Sequence, residues 1–276
     1  RAEIGGDKPN AKLHIVVADP ADGTIVADEL LPAGMRKVRT EIATRAEHLW
    51  SPNDPYLYDV TATLEFGAAK SQGKQEKLQQ ESQEIQEKPA KSQEKQDIVR
   101  SYCAFRTVEI KPDLKGIARF HLNGKPVFLK GVLDQGYWPD GLLTAPSDEA
   151  LVHDITAMKE SGFTMLRKHI KIESARWYYH CDRLGMLVWQ DAVSGGGEYN
   201  AWATNRKPTL MRATWNKYRD DTAKHFAALG ADDSTYRRDW SRTCDAMVHM
   251  LAGHPSIVTW AVSYTHLRAH ETLANL

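Results

Sequence analysis

The chain lacks most of the features that mark a specialised class. Its 276 residues hold only three cysteines, Cys103, Cys181 and Cys244. An odd number of widely spaced thiols without zinc spacing argues against a disulfide framework, and they read as free core residues. No apolar run is long enough to span a bilayer. Neither sign of charge is in surplus. Lys plus Arg and Asp plus Glu both number 36, so no global field favours nucleic acid or an anionic membrane. No Gly-rich dinucleotide or phosphate loop follows the first strand of the α/β pattern described below, which disfavours a nucleotide-binding open sheet. No signal peptide opens the chain, but position 1 is Arg rather than Met. The true start is therefore expected to be missing, and the compartment stays open, cytoplasmic or exported.

What is present is an apolar content sufficient for a sizeable core, with eight Trp and ten Tyr. Residues 1 to about 110 read as β. The runs "KLHIVVA" and "GTIVADELL" flank the turn "DPADG", a hairpin signal. In "YLYDVTATLEF", Tyr56, Tyr58, Val60, Ala62, Leu64 and Phe66 share one face and polar residues dominate the other. The run "YCAFRTVEI" reads as one further strand, and short strands joined by turns suggest a sandwich. Lys70–Asp97 is rich in Gln, Glu, Lys and Ser and echoes itself, "KSQGKQEK" against "KSQEKQDI". Too polar to offset its ordering entropy, it reads as a solvated hairpin insertion.

From about Gly116 the pattern changes. "RFHLNGKPVFL" is a hairpin centred on Asn123-Gly124, where a type I′ turn needs positive φ twice. Strands and helices then alternate. "VFLKGVLD", "FTMLRKHI", "MLVWQDAV" and "SIVTW" read as strands. Between them, "SDEALVHDITAMKESG" is a helix capped by Ser147 with a Leu151, Ile155, Met158 stripe, and "SARWYYHCDRLG" is a helix closed by Gly185. A third helix, "STYRRDWSRTCDAMVHMLAG", aligns Trp240, Cys244, Val248 and Leu251. This alternation predicts a parallel sheet covered by helices; a barrel and an open sheet are not separable on the pattern alone.

In such folds reactive groups project from the C-terminal strand ends. Those ends offer Asp134, Gln135, Tyr137 and Trp138 after the first strand, Arg167, Lys168 and His169 after the second, and Asp191 after the third, followed by the Gly195–Gly197 run and Glu198. Polar groups beginning where apolar strands stop suit a pocket for a polyhydroxylated ligand, held by bidentate groups and aromatic faces. The plainer reading of each is a loop cap, a mutual ion pair or loop packing, and the glycine run reads as a flexible loop rather than a phosphate cradle. No His/Asp/Glu set shows metal-ligand spacing, so no metal or other cofactor is expected.

Five motifs, "LWSPNDPYLYDV", "FRTVEI", "LNGKPVFLKGV", "CDRLGMLVWQD" and "HPSIVTW", together resemble glycoside hydrolase family 2, which includes β-galactosidases, β-glucuronidases and β-mannosidases. The resemblance is collinear from about Leu49 to Trp260, outside the insertion. It implies a multi-domain β plus α/β architecture: an immunoglobulin-like β-sandwich over residues 1–112, then the N-terminal half of a TIM (β/α)8 barrel over 118–260. It also implies a retaining glycosidase with two glutamates, the acid/base in an Asn-Glu pair beyond Trp260 and the nucleophile on a later strand, so this chain is expected to carry neither and to be inactive by itself. Arg167 matches the family Arg that helps hold the nucleophile ionised, and Asp191 matches an acidic position after the third strand. Where β-galactosidases often have Asn-Arg-His, this chain has Leu133, Asp134 and Gln135. Where they often have Ser-His-Tyr-Pro after the Arg, it has His169, Ile170, Lys171 and Ile172. The implied partner is a carbohydrate, a β-galactoside or related β-glycoside. No nucleic-acid or membrane partner is expected, and oligomerisation of the intact parent is left open. The alternatives are a non-catalytic carbohydrate-binding relative and a different barrel chemistry.

Residues 261–276 fit none of this. Val262–Thr272, "VSYTHLRAHET", resembles the conceptual translation of a transposase adapter used in preparing DNA sequencing libraries. The expectation is a fragment open at both ends, with a non-native tail from about Ala261 and exposed strand edges prone to association.

Overall fold

A computed structural model describes residues 2–3, 10–33, 37–38, 40–66, 96–193 and 232–261. The chain divides into two compact units, residues 1–49 with 57–105, and residues 50–56 with 106–276.

The first unit is built on an antiparallel sheet ordered β3-β2-β5-β6, where β2 is Ala11–Ala18, β3 Ile25–Pro32, β5 Tyr58–Phe66 and β6 Gln96–Cys103. A separate short pair joins β1 (Ala2–Glu3) to β4 (Lys37–Val38). The β2–β3 turn forms where expected. Asp19 and Asp22 side chains accept from the amides of Ala21 and Thr24, and Gly23 takes φ 75°. Across the β2–β5 ladder Leu13 opposes Leu64 and Ala11 opposes Phe66; with Ala33 they form a small apolar cluster. The β5 alternation thus places its residues as the pattern predicts. The polar insertion joins two strands that pair directly, Glu65 opposite Gln96 and Leu64 opposite Asp97. Gln96 and Asp97, assigned by composition to the insertion, therefore open β6: ladder hydrogen bonds extend a strand whatever its side chains. The rest of the insertion, residues 70–95, lies outside the described residues.

The second unit begins with a three-stranded antiparallel sheet, β7 (Val108–Pro112), β8 (Ala118–Leu122) and β9 (Lys125–Pro126). "YCAFRTVEI" is not one strand. It breaks over residues 104–107, between β6 and β7. Arg106, past the break and in the second unit, donates through its guanidinium to the carbonyls of Pro255 and Ile257, far along the chain. The Asn123-Gly124 turn adopts φ 51° and 73°, the double positive φ of type I′.

Four parallel strands follow in chain order: β10 (Gly131–Asp134), β11 (Met165–Lys168), β12 (Leu187–Asp191) and β13 (Ile257–Ala261). "VFLKGVLD" contributes only its last half to β10, and Phe128 before it is 82 % exposed. Helix α1 (Asp148–Glu160) is capped by Ser147, whose hydroxyl accepts from the Ala150 amide. Helix α2 (Ala175–Leu184) stops at Gly185 in the left-handed region, φ 69°. Helix α3 (Ser234–Leu251) starts at Asp233, whose carboxylate accepts from Thr235 and Tyr236. Leu151 and Ile155 of α1, Trp177 and Cys181 of α2, and Met247 and Leu251 of α3 pack with Leu166, Val188 and Ile257 of the strands in one core. The three described helices therefore lie on the same face of the sheet.

Below the N-terminal strand ends, fully buried Trp50 donates its indole N–H to the Asp182 carbonyl at 2.8 Å, and Asn123 donates to the Trp50 carbonyl at 3.0 Å. The Asp182 carboxylate, also fully buried, takes the Ser256 amide at 2.9 Å and pairs with His254 at 2.6 Å. A Cβ on Gly185 would meet the Pro52 carbonyl oxygen at 2.3 Å, so glycine there serves both the turn and the close approach.

Candidate functional site

Strand alternation sorts the polar strand-end residues onto two faces. Val132, Leu166 and Val188 point to the helices. Asp134, Lys168 and Gln190 share their parity. Leu133, Arg167, Trp189 and Asp191 take the opposite parity and face away from the helices, as do Gln135 and His169 just beyond β10 and β11. Of the residues singled out from sequence, the fold brings Gln135, His169, Arg167 and Asp191 together on that face, open in the sense that no described helix covers it, although His169 and Asp191 are themselves buried. It sets Asp134 and Trp138 on the helix side. Glu198 and the glycine run lie outside the described residues.

On the open face Arg167 binds Asp191 bidentately, Nε to Oδ1 at 2.9 Å and Nη2 to Oδ2 at 3.1 Å. The carboxylate is almost wholly buried and the Arg side chain is 26 % exposed. The guanidinium also lies 5.7 Å from the Trp189 ring centroid. Fork and carboxylate geometries match, so the cation is fixed in direction as well as place. Beside it, Gln135 Nε2 donates to His169 Nδ1 at 2.9 Å, which puts the proton of a neutral imidazole on Nε2. The result is a row of donors and acceptors along the C-terminal edge of a parallel sheet, with an oriented cation in it. Such a row can hold hydroxyl groups and stabilise an anion.

On the helix side lies a buried ionic set; the strand ends point to Asp134 and Lys168, but nothing in the sequence points to their pairing with Glu173 and Lys171. Lys168 is 1 % exposed. Its Nζ sits 2.9 Å from Asp134 and 3.1 Å from Glu173, and 4.1 Å from the Trp177 ring centroid. Lys171 reaches the same Glu173 oxygen at 2.9 Å and donates to the carbonyls of Gly136 and Leu143. Two ammoniums against two carboxylates make the set neutral, which is what allows its burial. It clasps the loop after β10 to the loop after β11. Gly136, at φ 62°, fits because it has no side chain: a Cβ would stand 2.3 Å from Glu173 Oε2. Trp138 packs against the core next to this set, and a cavity of about 320 Å³ opens between β10 and α1, lined by Asp134, Trp138, Leu151, Met158, Lys168 and Trp177. Parity is the signal that separates Lys168 from its neighbours Arg167 and His169.

Gln190, fully buried, completes the helix side. It accepts from the Tyr178 hydroxyl at 2.6 Å and donates to the carbonyls of Lys171 and Asp191, both at 2.9 Å. Burial, with the Glu173 charge adding to it, pushes the Tyr178 phenol far above its ordinary range, so it stays an O–H donor. Between His169 and Lys171, Ile170 takes φ 50°, a conformation that costs a β-branched residue about 1–3 kcal/mol and persists where surrounding contacts over-determine it.

The family model described as "Glycosyl hydrolases family 2, TIM barrel domain" matches residues 113–274. Beta-mannosidase B of Aspergillus terreus is 26 % identical over 225 residues, 78 % of this chain and 23 % of that protein. A beta-galactosidase of Lactococcus lactis is 25 % identical over 239 residues, 85 % of this chain and 18 % of that protein. Among solved structures, a beta-glucuronidase of Parabacteroides merdae superposes with a TM-score of 0.59 at 18 % identity, over 93 % of this chain and 24 % of that one. The chain thus spans less than a quarter of the length of each of these relatives.

Proposed function

The chain belongs to glycosyl hydrolase family 2, and from that premise we propose that the protein containing it hydrolyses terminal β-glycosidic bonds with retention, acting on a β-galactoside or a closely related β-glycoside. In this reading residues 118–260 supply the first four strands of the TIM barrel and residues 1–112 an immunoglobulin-like sandwich. Four parallel strands in chain order with all three described helices on one face support a barrel wall over a doubly wound sheet, which carries helices on both faces. The observation that carries the functional reading is the Arg167–Asp191 fork at the C-terminal strand ends, beside Gln135 and His169.

A retaining mechanism needs two carboxyls about 5–5.5 Å apart, one a nucleophile that must be ionised at working pH. An oriented cation at the strand ends lowers the energy of such an anion and opposes its protonation. Arg167 is assigned that role, with Asp191 holding it in place. Gln135 and His169 would bind sugar hydroxyls. In this reading the acid/base glutamate lies in an Asn-Glu pair beyond Trp260 and the nucleophile on a later strand.

The test is a turnover assay of the full-length protein on aryl β-galactoside, β-glucuronide and β-mannoside. Hydrolysis of the galactoside with retained anomeric configuration is expected. In that protein Arg167→Ala should cut turnover by about 10²–10³-fold per folded molecule, the usual cost of removing one preorganised electrostatic group, and should also lower the melting temperature, because the buried Asp191 carboxylate loses its fork. Turnover within a few-fold of wild type would show that Arg167 does not act on the nucleophile. Sugar binding without hydrolysis would favour a non-catalytic carbohydrate-binding protein.

A further inference from the structure

Each open-face residue has a sequence neighbour locked on the helix side. Gln135 follows Asp134, Arg167 and His169 flank Lys168, and Asp191 follows Gln190. Lys168 with Asp134 and Glu173 forms an ion cluster. Gln190 differs, because it is neutral, completely buried, and makes its contacts to backbone that belongs to the site.

Its two amide hydrogens go to two carbonyls. One is that of Asp191, so the peptide plane after the residue that orients Arg167 is held directly. The other is that of Lys171, next to Ile170 in its left-handed conformation and two residues from His169. Its oxygen is occupied by Tyr178, whose own oxygen accepts the Glu173 amide at 3.2 Å. Both amide hydrogens and the amide oxygen are engaged, and reversing the amide would oppose its oxygen to two carbonyl oxygens. One side chain therefore holds the end of β12 and the strained loop after β11 in fixed relation. Those two segments carry Asp191 and His169.

We propose that Gln190 is a positioning residue for the reaction, setting the Arg167–Asp191 fork and the His169 loop through these two carbonyl contacts, with Tyr178 fixing its orientation; this rests on the glycosidase reading above. Gln190 touches no substrate. Its removal lets Asp191 and Arg167 shift, which weakens the electrostatic support of the nucleophile. The acidic limb of the pH profile of kcat/KM then moves to higher pH, because a less supported carboxylate protonates sooner. The charged groups around it are Lys168, Asp134, Glu173 and Lys171 on the helix side and the Arg167–Asp191 fork on the other.

The experiment compares Gln190→Leu, Tyr178→Phe and Arg167→Lys in the full-length protein, each checked for folding by its melting curve. The Gln190 and Tyr178 variants are expected to lose about tenfold in kcat with KM changed by less than about threefold, and to shift the acidic limb in the direction that Arg167→Lys shifts it. Tyr178→Phe decides alone if Gln190→Leu does not fold. Variants whose limb stays at the wild-type position, or whose activity falls only with the folded fraction, overturn the positioning role while leaving the glycosidase reading intact. A wild-type protein without turnover on any aryl β-glycoside removes the glycosidase reading and the role together.

Discussion

The two four-stranded sheets of this chain treat polar residues in opposite ways. In the antiparallel sheet β3-β2-β5-β6, polar side chains lie along the strands, as Thr61, Thr63 and Glu65 alternate with Val60, Ala62 and Leu64. Their contacts are local and exposed, such as His14 with Asp28 at 2.7 Å. In the parallel sheet, β10, β11 and β12 are apolar until their last one or two residues, and there the polar groups are largely buried and interlocked. Antiparallel strands can leave one face to water, so polar residues spread along them at little cost. Parallel strands with helix crossovers confine polarity to their ends, where it converges. Convergence, not the number of polar residues, is what makes a candidate site.

The sharpest way to break this comparison is in the two cores. Ile155 is completely buried in the continuous core of the parallel sheet, and Leu13 is 4 % exposed in the small cluster of the other. Ile155→Ala should cost about 2–5 kcal/mol, near the top of the range for such truncations, and Leu13→Ala should fall toward its bottom. Denaturant unfolding of the two variants gives the ranking; equal costs would mean that the antiparallel sheet is as well packed as the parallel one.

A smaller effect tests the convergence of charge. Gly136→Ala drives a Cβ into Glu173 at a positive φ, and it is expected to lower stability by about 1–3 kcal/mol, the scale of forced overpacking or a strained backbone. A melting temperature equal to wild type would show that the Lys168–Glu173–Lys171 clasp is loose. The smallest effect belongs to the first sheet. Halving the connection between Phe66 and Gln96 should change stability by only about 0.6 kcal/mol, because closure entropy grows with the logarithm of loop length. A loss of several times that would show that the polar segment packs.

Local chemistry was the legible part. Asn123-Gly124, Ser147 before α1 and Gly185 after α2 act through their own backbone and its nearest neighbours, and each sits where its chemistry places it. The stripe of Leu151, Ile155 and Met158 was legible for the same reason. Strand ends point to Gln135, Arg167, His169 and Asp191, which share one face, and equally to Asp134 and Trp138, which the structure sets on the helix side; strand parity is what separates the two groups.

What the order of residues determined by itself was the succession of strands and helices, their caps and turns, and the position of the polar strand ends, since these depend on contacts within a few residues. Only the tertiary structure decided the rest. Arg106 is held where Pro255 and Ile257 offer it carbonyls. Trp50 is buried because the Asp182 carbonyl is there to meet it. Lys168 is internal because Asp134, Glu173 and Trp177 surround it, and Gln190 is fixed by Tyr178 and by the carbonyl of Lys171. A buried polar group is tolerated only where partners exist to satisfy it, and those partners come from separate elements that only the folded chain brings together.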